Sequence, residues 1–91
     1  MNIIFKKSFQ KDLKRIKNKA VLSHINQIIL EAETTSNIFS LPHIKKIKVT
    51  HKNINLFRIR TGQYRIGLIL QKDTITFVRV LHRKDIYKYF P

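Results

Sequence analysis

The sequence predicts an α+β fold: an N-terminal strand, a two-helix antiparallel hairpin and a three-stranded antiparallel meander, ordered β-α-α-β-β-β. Three observations carry this. A short apolar run, Ile3-Ile4-Phe5, opens the chain. Residues 8–34 place apolar side chains at helical spacing. Residues 54–81 form three strand-like segments cut by Thr61-Gly62 and Lys72-Asp73.

Asn2 to Lys6 is read as the first strand. Ser8 is placed as the cap of the first helix, with Phe9, Leu13 and Ile16 following at i, i+4 and i+7. Lys11, Asp12, Lys14, Arg15 and Lys17 lie between them and are assigned to a solvent-facing basic side. Lys17-Asn18-Lys19 is a short connection, so the second helix, about Ala20 to Thr34, folds back antiparallel. Its apolar stripe is Leu22, Ile25, Ile29 and Ala32, widened by Val21 and Ile28. Thr34-Thr35-Ser36-Asn37 ends it, because β-branched and small polar residues favour leaving a helix. Leu41-Pro42 starts a loop. Ile44 to Asn53 fits two descriptions, with Ile47 and Val49 either extending a strand or pinning a loop. The meander strands are Ile54–Arg60, Gln63–Leu70 and Thr74–Leu81.

The first meander turn organises the rest. With Thr61-Gly62 as a two-residue loop, Arg60 pairs with Gln63, Ile59 with Tyr64, and Arg58 with Arg65. Period-two alternation then puts Arg58, Arg60 and Arg65 on one face, and Phe57, Ile59, Tyr64 and Ile66 on the other. Tyr64 is therefore assigned to the core. Like charges opposite one another destabilise a ladder, so the arginine face calls for an anion. A second turn at Lys72-Asp73 pairs Leu70 with Ile75, Leu68 with Phe77, Arg65 with Val80, and Gln63 with His82. That register puts His82 on the arginine face. Arg79 falls on the apolar face, where a bulge, an edge position or another register would accommodate it. Lys84 to Pro91 is long enough for one helical turn or a tail, with Tyr89 packing against the core.

Ninety-one residues make one domain, residues 1–91, with one modest core. Two Gly and two Pro argue against disorder. The absence of cysteine excludes disulfides and thiolate zinc sites. Neither a secretory signal nor a membrane-length apolar run is found, so a soluble cytoplasmic protein with no membrane partner is expected. Nineteen Lys and Arg against five Asp and Glu give a formal charge of +14. The charge is segregated: residues 20–40 contain no Lys or Arg, whereas residues 41–65 hold seven and no acid. Such a pattern points to a polyanion or an acidic protein partner. The lysine-rich first helix suits contact with phosphates.

Much chemistry is excluded. Asp12, Glu31, Glu33, Asp73 and Asp85 do not cluster in the strand region, which disfavours a two-carboxylate acid/base pair or a carboxylate-held Mg²⁺. His24, His43, His51 and His82 lack metal-ligand spacing. His24 is read as a polar helix position, and His43 and His51 as loop residues. With two glycines there is no phosphate-binding Gly-rich loop. No metal or cofactor is expected, and any catalysis falls to Arg, Lys, His and Tyr. These types suit cleavage of RNA by its own 2′-hydroxyl. Arginines neutralise the phosphate and the charge that grows on it, and His82 or Tyr87 moves protons. The products are a 2′,3′-cyclic phosphate and a 5′-hydroxyl.

Several segments together resemble the RelE/ParE superfamily of bacterial and archaeal toxins. They are Ser8-Phe9-Gln10-Lys11-Asp12-Leu13, Phe57-Arg58-Ile59-Arg60 with Tyr64-Arg65-Ile66, and Val80-Leu81-His82-Arg83-Lys84-Asp85-Ile86-Tyr87. The resemblance spans the chain and implies two helices packed on a twisted antiparallel sheet. It implies a toxin neutralised by an acidic antitoxin. In its RelE branch, basic residues of the middle strands, an arginine after the last strand and a C-terminal tyrosine act on mRNA in the ribosomal A site, amid ribosomal RNA. Carried over, these are Arg58, Arg60, Arg65, Arg83 and Tyr87. Arginines stand at positions 58 and 60 where the best-known RelE enzymes have lysines. An arginine holds charge but hardly acts as a base, which leaves proton transfer to Tyr87 or His82. The ParE branch instead inhibits DNA gyrase, and its longer helical hairpin contrasts with the short link here. A basic nucleic-acid or ribosome-binding module without toxicity is the third reading.

Overall fold

Strand β1 (Asn2–Phe5) opens the chain, and helices α1 (Lys7–Arg15) and α2 (Lys19–Thr34) follow in the expected order. The computed structural model describes residues 1–49 and 54–91. Asn18 caps α2, its Oδ1 accepting from the Ala20 and Val21 amides at 2.9 and 3.2 Å. A 3₁₀ turn over Ile38–Ser40 leads into β2 (Ile44–Val49). Then come β3 (Asn55–Thr61), β4 (Tyr64–Gln71), β5 (Thr74–His82) and a single helical turn, α3 (Ile86–Tyr89). The five strands form one sheet in the order β1-β5-β4-β3-β2, with β1 parallel to β5 and every other pair antiparallel.

The sheet is thus mixed, and its meander has four strands rather than three. The added strand is the segment that the sequence left between strand and loop. Its ambiguity has a physical cause: the ladder with β3 shifts register between Lys46 and Lys48. Ile44 consequently packs in the helix-side core and Ile47 in the cluster on the other face. Three-residue spacing of two apolar residues does not look like a strand unless the bulge is known. The expectations placed on Thr50–Asn53, His51 among them, lie outside the described residues.

The main core lies between the sheet and the two helices. Phe9 of α1 and Ile25, Ile28 and Ala32 of α2 are buried against Phe57, Ile59, Ile66, Leu68, Ile75 and Phe77. Phe9 and Phe77 meet at 5.2 Å between ring centroids. Burying one such ring stabilises the fold by roughly 1.5–3 kcal/mol. The opposite face carries a smaller cluster, Leu56 with Ile86 and Phe90, that ties the C-terminal turn to the sheet. Gly67 makes this possible, because a Cβ there would stand 2.6 Å from the Phe90 ring.

Two side chains of α1 depart from their expected roles. Ser8 does not cap the helix; Lys6 occupies the cap position without a side-chain bond, and Ser8 Oγ donates to the Val78 carbonyl at 2.6 Å. Asp12 does not face solvent; it is 3% exposed. Its Oδ2 accepts from Arg79 Nε at 2.7 Å and from the Val80 amide at 3.0 Å, while Oδ1 accepts from Arg79 Nη2 at 3.0 Å. Strand β1 ends at Phe77, so the next stretch of the β5 edge has no strand beside it. Ser8 and Asp12, one helical turn apart, satisfy that edge instead.

The registers correct several pairings. Gly62-Gln63 form the first loop, with positive φ at Gly62 alone, and Arg60 stands opposite Arg65 while Arg58 faces Gly67. The loop moved by one residue, so the register changed by two and each side chain kept its face. In the second hairpin Leu70–Ile75 and Leu68–Phe77 pair as expected, but Val78 is an extra residue. Beyond it Val80 pairs with Ile66, Leu81 with Arg65, and His82 with Tyr64. Arg79 is accommodated by this bulge together with the open edge.

Asp12→Ala would strand Arg79 and the Val80 amide. Losing one partner of a buried pair costs about 3–5 kcal/mol, and water reaching Arg79 lowers that to roughly 2–4. Urea unfolding of the variant measures the loss, and an unchanged midpoint would refute the role given to Asp12. Gly67→Ala is expected to lift Phe90 from the sheet at a cost of about 1–3 kcal/mol. Faster carboxypeptidase trimming of the tail would report it, and in a Phe90→Ala background the same change should cost little.

Candidate functional site

The arginine face is built by hairpin alternation and extended by the neighbouring strand. Arg58 and Arg60 project from β3, Arg65 projects from β4 opposite Arg60, and Lys45 of β2 stands opposite Arg58. Together with His43 and Ile44, these side chains line an open cleft of about 320 Å³. Arg65 is oriented by its own turn, Nη1 donating to the carbonyls of Gly62 at 2.9 Å and Tyr64 at 3.0 Å.

Electrostatics extend the site to the C-terminal segment. Burial holds the Arg65 guanidinium below its ordinary pKa; the charges of Arg58, Arg60 and Arg83 push the same way, and Tyr87 opposes them. The Arg83 amide donates to the Gln63 carbonyl at 2.7 Å, continuing the β4–β5 ladder and bringing Arg83 within electrostatic reach of Arg65. Tyr87 sits on α3 with its side chain exposed, while Ile86 beside it is fully buried as an anchor. Among the described residues the ion pairs are Asp12–Arg79 and Asp85–Lys88, so none of the cleft arginines is ion-paired.

His82 is the exception. It falls opposite Tyr64, away from the arginine face, with the two rings in edge contact at 6.0 Å. Its Nδ1 accepts from the Lys84 amide at 3.2 Å. The Val78 bulge is the reason, since one added residue reverses every later side chain. Of the six residues singled out from the sequence, Arg58, Arg60 and Arg65 line the cleft, Arg83 and Tyr87 lie within electrostatic reach of Arg65, and His82 is turned away.

Two further residues belong to the cleft, His43 and Lys45. His43 holds a left-handed backbone, φ 54°, and accepts the Arg60 amide at its carbonyl at 3.3 Å. Its Nδ1 lies 3.4 Å from Arg60 Nη2. His43 also borders a second cavity of about 500 Å³, toward α2, that His24, Gln27 and Glu31 line. The sequence signal for both was β2 itself: once Ile44 pairs with Ile59, Lys45 must stand beside Arg58.

A basic, cleft-bearing sheet is thus backed by two N-terminal helices. The profile described as "ParE toxin of type II toxin-antitoxin system, parDE" matches residues 3–87. Toxin RelE3 of Methanocaldococcus jannaschii is 47% identical over 92 residues, covering all of both chains. The toxin–antitoxin complex RelB-RelE from Methanococcus jannaschii superposes with a TM-score of 0.80 at 45% identity, covering 97% of this chain and 99% of that one. An archaeal RelE-RelB complex from Pyrococcus horikoshii, 19% identical, shares the fold with a TM-score of 0.75 over 90% of this chain and 93% of that one. The chain belongs to the ParE toxin family of type II toxin–antitoxin systems. Within that class it is a RelE-like toxin, as the resemblance read from its sequence implied.

The depressed pKa of Arg65 has a sign. The folded state binds that proton less readily than the unfolded chain. The cost of charging it is present at all pH values below the folded pKa, and disappears as pH rises toward the ordinary arginine value. At neutral pH the cluster therefore opposes folding. Arg58→Gln is expected to raise the unfolding free energy at low ionic strength by up to about 1 kcal/mol, read as a higher urea midpoint. The gain should vanish near 1 M salt, where the screening length is about 3 Å. A midpoint that falls at low salt would contradict the repulsion.

Proposed function

We propose that this toxin is a ribosome-dependent mRNA endonuclease that cleaves through the substrate's own 2′-hydroxyl. The observation that carries the reading is the cleft lined by Arg58, Arg60 and Arg65, none of them ion-paired among the described residues, with Arg83 and Tyr87 in electrostatic reach of Arg65. Arginines clustered at a cost to folding fit a group that arrives with negative charge. In this reading Arg58, Arg60 and Arg65 hold the scissile phosphate, and Arg83 stabilises charge on the phosphate or the leaving oxygen. Tyr87, exposed at the rim, stacks on a base or shares in proton transfer. The exposed Lys7, Lys11 and Lys14 on α1 face away from the core and suit ribosomal RNA phosphates.

The reading also includes an acidic antitoxin that covers the arginine cleft. Its support is the uncompensated charge together with relatives solved as RelB–RelE complexes. The site of action is the cytoplasm, where ribosomes translate; among the described residues no helix is long and apolar enough to cross a membrane.

A pulse of expression followed by mRNA 5′-end mapping and ribosome profiling tests the proposal. Cuts are expected within translated frames only, and Arg65→Ala and Arg83→Ala should each lose at least about 10²-fold of them. Intact messages accompanied by gyrase-linked DNA breaks would overturn it in favour of the ParE-type inhibitor. A chain without effect on growth or messages would leave a basic binding module.

A further inference from the structure

The cleft contains one side chain whose chemistry the arginines cannot supply. Attack by a 2′-hydroxyl requires that its proton be taken away. Arginine stays protonated at any working pH, and lysine at neutral pH has three donors and no acceptor. Histidine is the side chain that ordinarily exchanges a proton between pH 5 and 8. Among the described residues lining the cleft, only His43 is of that kind. His82 faces Tyr64 on the other side of the sheet.

We propose that His43 takes the 2′-hydroxyl proton, an assignment that rests on the RNA-cleaving reading above. The geometry supports it in two ways. A guanidinium N–H only donates, so in the contact of 3.4 Å between Arg60 Nη2 and His43 Nδ1 the imidazole nitrogen is the acceptor. In the free protein its lone pair is taken up by Arg60; when the guanidinium turns onto a phosphate, Nδ1 is released beside that phosphate, which the ribose bearing the attacking hydroxyl adjoins. The backbone of residue 43 is also held in place. It adopts φ 54°, which a non-glycine residue rarely adopts, and its carbonyl accepts the Arg60 amide at 3.3 Å. Base and phosphate anchor are thus tied together by both backbone and side chain.

The step balances. His43 accepts the 2′ proton as the O2′–P bond forms and the P–O5′ bond breaks. The departing 5′-oxygen takes a proton from water, and His43 returns its own to solvent. The charged or titratable groups around His43 are Lys45 of β2, Arg58 and Arg60 of β3, Arg65 of β4, and His24 and Glu31 of α2 across the second cavity.

The left-handed backbone makes a clean variant available. His43→Gly suits φ 54° better than histidine does and keeps the carbonyl that binds Arg60, so the fold should be retained. The full-length toxin, parent or variant, is added to ribosomes programmed with a defined message, and single-turnover cleavage is followed from pH 5.5 to 8.5. The parent is expected to cut with a pH-dependent limb near neutrality. His43→Gly should cut about 10²-fold or more slowly, lose that limb, and recover with added imidazole in proportion to its concentration. A variant as fast as the parent overturns the assignment while leaving the RNA-cleaving reading intact. A slow variant that keeps the parent's pH profile and ignores imidazole also overturns it, and makes His43 a support for Arg60. A parent that cuts no message sinks the enzymatic reading, and this assignment with it.

Discussion

Where β1 ends, β5 is left with an unpaired edge, and the way α1 closes that edge shapes most of the molecule. Ser8 takes up the Val78 carbonyl, and Asp12 takes up both the Val80 amide and the Arg79 guanidinium. An open edge buried beneath a helix would leave backbone groups without partners, a cost comparable to a lost hydrogen bond each. The same stretch carries the Val78 bulge. Arg79 emerges there and bridges the two sides of the sheet, ion-paired to Asp12 of α1 and lying 4.9 Å from the ring centroid of Tyr89 on α3. Its hydrogen bond to Asp12, above all, raises the pKa of Arg79 and keeps the guanidinium charged.

The bulge has consequences for the site. It sends Val80 into the core, puts Leu81 beneath the C-terminal turn and turns His82 toward Tyr64. Arg83 then leaves the strand beside the β3–β4 turn, close enough to Arg65 to depress its pKa further. The second-face cluster of Leu56, Ile86 and Phe90 anchors α3, with Phe90 lying over Gly67. That anchoring is what brings Tyr87 within electrostatic reach of Arg65. A structural ion pair at one edge and a small apolar cluster on one face thus hold a set of cations that would otherwise repel one another.

Segregation of charge follows the same logic. Asp12 and Asp85, two of the five acids, are engaged with Arg79 and Lys88. The cleft receives Lys45, Arg58, Arg60 and Arg65 with no acid among them. A cluster assembled against its own repulsion is consistent with a surface shaped by a negatively charged occupant.

The sequence by itself determined the order of elements, the helix-side core and the common face of Arg58, Arg60 and Arg65. These rest on local periodicity, which survives an error in loop placement: moving the turn by one residue changes the register by two and leaves parity intact. Parity also explains what was not legible. Bulges at Ile47 and Val78 each insert one residue, and a single insertion reverses faces; no pattern in the chain marks where that happens. Strand β2, the cleft positions of Lys45 and His43, and the turning away of His82 were therefore decided by tertiary pairing. The roles of Ser8 and Asp12 were too. A serine and an aspartate at the start of a basic helix look like a cap and a surface charge until the neighbouring strand edge they must satisfy is in place.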